Sequence, residues 1–282
     1  MSAFAVVMKR NEAIVATDGA SYESDGVLCD IDLRKTFIFP ALDLTISYMG
    51  AKLAGSDIAL KLSERFNSFD DVVIGAEEAI HDLVDDYLDE RIWIQGNKSL
   101  KLYIVGYSRA RMQPEAYAMG VCAPEQRSHW KAVHERQGVS HEDQYKLKPM
   151  KGCTSNPPLD ATLLEKAGLY LRSGESEADL LERLDDTDML AILLMQRLEG
   201  VTFEPQRMHW VGGHVLITSI TKNGISQRVT HRWEEDQIGE IITPRPVDWS
   251  TWRGGGSLST AGMSRLQRQM LERKQLKLRK RA

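Results

Sequence analysis

Residues 2–50 constrain the fold more than any other stretch of the chain. Ser2-Ala3-Phe4-Ala5-Val6-Val7-Met8 and Ala13-Ile14-Val15-Ala16-Thr17-Asp18-Gly19 are two apolar runs, separated by the polar break Lys9-Arg10-Asn11-Glu12. That pattern predicts a β-hairpin. Neither run alternates strictly between polar and apolar residues, as suits strands covered on both faces. A second pair follows, Asp32 to Phe39 and Leu44 to Gly50, joined by the turn Pro40-Ala41-Leu42-Asp43.

After Gly50 the period changes. Ala51 to Phe66 reads as a helix. Asp70 and Asp71 stand where the N-cap and first turn of a second helix belong, and apolar residues at three- and four-residue spacing carry that helix to Leu88, with acids on its outer face. Arg91 to Gln95 is either a short strand or the helix end. Ser99 to Tyr107 and Ala116 to Cys122 read as strands on either side of Gln113-Pro114. The polar stretch 123–158 reads as a long functional loop or an insertion. Asp160 caps a predicted helix over 161–171. Ser176 opens a capping box for a helix to about Leu198, with a break near Asp185-Asp186 and Gly200 just past its end. Val211 to Ile220 and Ile225 to Trp233 form a last hairpin, with Gly212-Gly213 inside the first strand and Asn223-Gly224 at the turn. Residues 243–256, with Pro244, Pro246 and three consecutive glycines, read as a linker.

Strand groups that alternate with helix pairs define an α+β class, and the layer logic points to a four-layer αββα sandwich. One domain over 1–242 is expected, followed by a linker and a basic helical or disordered tail over 243–282. From Ser264 to the end there are eight Lys and Arg against one Glu, which leaves the rest of the chain at −11 within a total of −4. An acidic body argues against a general nucleic-acid-binding protein and isolates the tail as a separate question. Three scattered cysteines, Cys29, Cys122 and Cys153, fit a reducing cytoplasm better than a disulfide framework. No signal peptide or membrane span is expected. His129 and His134 are five apart and the cysteines are isolated, so neither a metal nor a cofactor is expected.

Four segments carry a family resemblance: Ser2, Val15-Ala16-Thr17-Asp18-Gly19, Arg34-Lys35-Thr36-Phe37 and Tyr48-Met49-Gly50. Over roughly the first hundred residues the chain resembles proteasome β-type subunits and their bacterial relatives, the N-terminal-nucleophile hydrolases. Asp18 lies 16 residues beyond Ser2, as the family's aspartate lies beyond its nucleophile. Lys35 lies 17 beyond Asp18, one more than the family pattern. Either Lys35 is the active-site lysine after a one-residue insertion, or Arg34 falls in register. Lys35 is favoured because the family's lysine directly precedes the apolar part of its strand. Three departures remain: Ser in place of the usual Thr, the lysine register, and Cys153-Thr154-Ser155-Asn156 where the family has a Ser-Gly-Ser segment.

The resemblance implies an amidohydrolase or peptidase. With Met1 removed, the Ser2 hydroxyl would attack an amide carbonyl of a peptide or amide substrate and the Ser2 α-amine would take its proton. Lys35 would lower the amine's pKa and stabilise the alkoxide, and Asp18 would hold Lys35. The Gly50 N–H would donate to the oxyanion. The family also contains inactive subunits and usually assembles, so a homo-oligomer is expected. The alternative is a non-catalytic assembling protein, in a phage or prophage setting, whose tail 257–282 recruits a protein partner. Contact between that tail and nucleic acid or an anionic surface stays open.

Overall fold

Both faces of the first strand are covered, which is why its sequence shows no polar alternation. The computed structural model describes residues 2–23, 25–86, 99–122, 145–159, 161–203, 206–249 and 252. Strand β1 (Phe4–Met8) pairs with β2 (Glu12–Asp18), with Val6 opposite Val15. β13 (His214–Thr221) lies on the other edge of β2, with Ile217 opposite Ala16, and turns into β14 (Gly224–Arg232). β10 (Cys153–Asn156) flanks β1, with Asn156 opposite Phe4. These five form an antiparallel sheet in the order β10-β1-β2-β13-β14.

The second sheet is an antiparallel meander of β5 (Thr36–Phe39), β6 (Leu44–Gly50), β7 (Ser99–Ser108), β8 (Gln113–Cys122) and β9 (Lys148–Met150). Two short hairpins complete the described strands, β3 (Ser21–Tyr22) with β4 (Leu28–Asp30), and β11 (Val201–Phe203) with β12 (Gln206–Met208). The helices are α1 (Lys52–Arg65), α2 (Phe69–Asp86), α3 (Ala161–Lys166), α4 (Glu177–Arg183) and α5 (Asp186–Glu199). The chain is α+β.

Alternate side chains of β1 and β2 enter different cores, as a period of two requires. Phe4, Val6, Ala13 and Val15 join Met49, Tyr103, Val105 and Tyr107 in a core shared by the two sheets. Ala3, Ala5, Ile14 and Ala16 join Met189, Leu190, Leu193 and Trp233 in a core shared with α5. Ile46, Tyr48, Leu102 and Ile104, on the other face of the second sheet, pack with Ile58, Leu62, Val72 and Ile80 of α1 and α2. Between the sheets one region is polar. There the hydroxyls of Thr17, Thr36 and Ser47 form a buried chain with steps of 3.1 and 2.9 Å. The side-chain amide of Gln227 donates to the Thr36 carbonyl and to Thr218 Oγ1.

Several local expectations change. The Ser68 hydroxyl, not Asp70, accepts the Asp71 amide at the start of α2, while Asp70 accepts from Ser108 across the domain. Pro114 lies inside β8 rather than between strands. This is tolerated because β9 pairs only with residues 116–118, so Pro114 has no ladder partner on that side. The stretch read as irregular loop supplies β9 and β10. The helix expected over 161–171 ends at Lys166. Gly212 and Gly213 precede β13 instead of lying within it. The break near Asp185 is a second capping box, in which Asp185 accepts the Thr187 and Asp188 amides and Asp188 bonds back to the Asp185 amide. Val247, Trp249 and Trp252, in the stretch read as a linker, lie against the α5 core. Arg91–Gln95, His129, His134, His141, Asp160 and the tail 257–282 lie outside the described residues.

Candidate active site

The hairpin register fixes the site. With Phe4 opposite Thr17, Ala3 comes to Asp18 at the end of β2, and Ser2 lies just beyond. The Ala3 amide donates to Asp18 Oδ1 at 2.8 Å. Lys35 enters from the other sheet, immediately before β5, and its ammonium donates to the same oxygen at 2.8 Å. Its own carbonyl accepts the Tyr48 amide, so the lysine is anchored to the β5–β6 ladder. The Ala20 and Gly212 amides both donate to Asp18 Oδ2, each at 3.3 Å. The carboxylate thus receives two donors on each oxygen, which satisfies a charge wholly removed from water.

Asp18, Lys35 and Ser2 are all buried, and Ser2 is 8% exposed. Burial pushes the Lys35 ammonium below its ordinary pKa, against the pull of Asp18. Arg34 is exposed and points its carbonyl toward the Tyr48 hydroxyl, so Lys35 rather than Arg34 meets Asp18. Gly50 ends β6 opposite Leu100 with φ of 111°, a conformation that favours glycine. Among the described residues no hydrogen bond joins it to Ser2, Asp18 or Lys35. Ala51 begins α1 without a side-chain cap.

Sequence reasoning missed three parts of this neighbourhood. Tyr22 lies beside Ser2, and its phenol is held well above its ordinary pKa by burial and then by the Asp18 charge, while the Ser2 hydroxyl acts in the opposite direction. The buried Tyr22 oxygen has no hydrogen-bond partner of good geometry among the described residues, and its ring meets Trp210 edge to face. Gly212, far away in sequence, grips Asp18 by its amide and Gly19 by its carbonyl. Behind Gly19 stands His214, whose ring would lie 2.1 Å from any Cβ placed there. Of these only the Gly212-Gly213 pair gave a sequence signal, and it pointed to a strand.

Among the described residues no group of three or more His, Cys, Asp and Glu is placed to hold a metal ion. Cys29 and Cys153 are exposed, Cys122 is buried, and none of the three forms a disulfide among the described residues. No described helix is long and apolar enough to cross a membrane. No protein-family model matches the chain, and no curated protein matches it closely.

Proposed function

We propose that the protein is an N-terminal-nucleophile amidohydrolase with Ser2 as nucleophile, and that its layers follow the order helices, sheet, sheet, helices of the αββα sandwich. The layer order rests on the three cores, each shared by neighbouring layers. The function rests on one observation: the buried Asp18 oxygen that binds Lys35 also binds the amide next to Ser2. Processing must expose the Ser2 α-amine. That amine then serves as the base for the hydroxyl, since its unperturbed pKa of about 7.7–8.0 leaves a neutral fraction near pH 7. Lys35, whose charged form Asp18 favours against the effect of burial, disfavours a second positive charge on the amine and stabilises the developing alkoxide. Gly50 and the uncapped start of α1 are the candidate oxyanion donors.

Intact-mass measurement and N-terminal sequencing of the purified protein, followed by a β-lactone or fluorophosphonate probe, test this reading. Covalent modification mapped to Ser2, an ester from the lactone or a phosphonate from the fluorophosphonate, and lost in Ser2→Ala, is expected. Retention of the preceding methionine in every molecule would sink it.

A second reading, an assembling protein without catalysis, draws on the outer helical surface. Ile74 of α2 is 84% exposed, and Leu53 and Leu60 of α1 are also exposed. Light scattering on wild type and Ile74→Asp discriminates: assembly predicts a mass above the monomer that falls in the variant.

A further inference from the structure

Arg197 is the largest fully buried side chain described. It lies near the end of α5, just beyond the buried apolar run from Met189 to Met195. Its guanidinium makes a two-pronged contact with Asp236, Nη2 to Oδ1 at 2.6 Å and Nη1 to Oδ2 at 3.0 Å, and it stacks over Trp233 with 4.6 Å from Cζ to the ring centroid. Taking such a pair out of water is costly, and apolar side chains of similar size often do as well or better for stability alone. The contacts that the pair makes outward suggest another use. Arg197 Nη1 donates to the Val211 carbonyl at 2.6 Å, and Asp236 Oδ2 accepts the Gly213 amide at 2.7 Å. The residue between them is Gly212, whose amide and carbonyl hold Asp18 and Gly19. A Cβ on Gly212 would lie 2.5 Å from Asp236 Oδ2 and 3.1 Å from Arg197 Nη1, so the ion pair rests directly on the peptide backbone. The Trp233 amide donates to the Gly213 carbonyl and completes the grip.

We propose that Arg197 and Asp236 are positioning residues for Asp18. The pair fixes both sides of the 211–213 segment. That segment fixes the second oxygen of Asp18, and with it the direction in which the first oxygen presents Lys35. One buried ion pair therefore sets the geometry of another through a single peptide unit. The catalytic consequence rests on the Ser2 reading above, whereas the mechanical coupling does not.

The test uses the full chain with two variants. Arg197→Met/Asp236→Asn leaves no fully buried orphan charge, since Glu235, the second and longer partner of Arg197 at 3.4 Å, keeps contact with solvent, and it keeps an acceptor for Gly213. Arg197→Lys keeps the charge and is the milder change should the double variant fail to fold. Amide hydrogen exchange is read in peptides covering 17–20 and 211–214, with 36–50 as the internal reference. The expected result is exchange at least tenfold faster in both peptides of the double variant, a smaller rise in Arg197→Lys, and no change in the reference. The pH profile of Ser2 acylation should shift in the same order. Unchanged exchange in 211–214, or loosening there while 17–20 stays at the wild-type rate, would overturn the proposal. A wild-type protein that no probe acylates removes the Ser2 reading, and the exchange result still decides the coupling.

Discussion

Lys35 and Asp18 meet at 2.8 Å with both side chains closed to solvent, although they enter from different sheets. A contact of this kind is asymmetric in its consequences. Losing one partner strands the other as a buried charge, whereas neutralising both can leave stability nearly unchanged.

Asp18→Ala should therefore destabilise the fold by about 3–5 kcal/mol, and Lys35→Met/Asp18→Asn by less, about 1–3 kcal/mol, because the Asn nitrogen leaves the Ala3 amide without its acceptor. Urea unfolding followed by fluorescence measures both. If the pair serves Ser2 chemistry, acylation should fall at least a hundredfold in the stable double variant as well. A double variant that keeps both stability and full acylation would show that the pair has no catalytic part.

Steric contact across the second sheet gives a sharper expectation. A Cβ on Gly106 would lie 2.2 Å from the Phe69 ring and 2.6 Å from the Asp43 carbonyl, and that carbonyl already accepts the Tyr107 amide. Gly106→Ala should cost about 1–3 kcal/mol or more, as overpacking does. Gly120, on the adjacent strand β8 and five positions along from Glu115, the partner of Gly106, meets nothing within 4 Å among the described residues, and Gly120→Ala should cost nothing measurable. Thermal midpoints of the two variants provide the comparison, and equal losses would contradict the packing described.

Much of this architecture was legible because local signals agreed with the global fold. The hairpin of β1 and β2, helices α1 and α2, the Ser176 capping box and the break at Asp185 all carry their cause within a few residues. The missed pieces take their cause from elsewhere. β10 is four residues long, polar and followed by two prolines, and it is a strand only because β1 offers an unpaired edge. Pro114 is acceptable in β8 only because β9 stops short of it. The site shows the same division. Ser2, Asp18 and Lys35 stand at spacings that a short window can register. Arg197 and Asp236 are 39 residues apart, and Gly212 is 194 residues from the carboxylate it binds. No local pattern encodes such pairings.

Helix capping yields a smaller effect. Asp185 accepts the Thr187 amide at 2.8 Å and the Asp188 amide at 3.2 Å. Asp185→Ala should lower stability by about 0.5–2 kcal/mol. Because α5 carries Arg197, the loss should appear in urea unfolding as a shifted midpoint with an unchanged slope. A changed slope would mean that α5 frays as a separate unit.

Acid should weaken the end of the domain where α2 meets the β7–β8 turn. Asp70 accepts from the Ser108 hydroxyl, the Ala110 amide and Arg111, and Glu115 accepts from Arg111 and the Tyr117 hydroxyl. Burial raises both carboxyls, but these donors outweigh it, so both titrate below their ordinary values. Unfolded carboxylates titrate near about pH 4, so the folded state binds fewer protons just below that pH. This contribution is complete above about pH 4–5 and is lost as the pH falls through the folded-state values. Urea midpoints between about pH 5 and pH 2.5 should decline less steeply in Asp70→Asn than in wild type, and parallel declines would exclude Asp70 as a source.

The place of β1 between β2 and β10 also bears on how the chain is made. Its second neighbour emerges from the ribosome only after residue 156, on the order of ten to thirty seconds later at ordinary elongation speeds. β13, which shields the end of β2 at Asp18, emerges later still. Through that interval residues 2–8 have no enclosure to enter. Residues 2–8 therefore stay open to enzymes that act on nascent chains until synthesis of the later strands encloses Ser2.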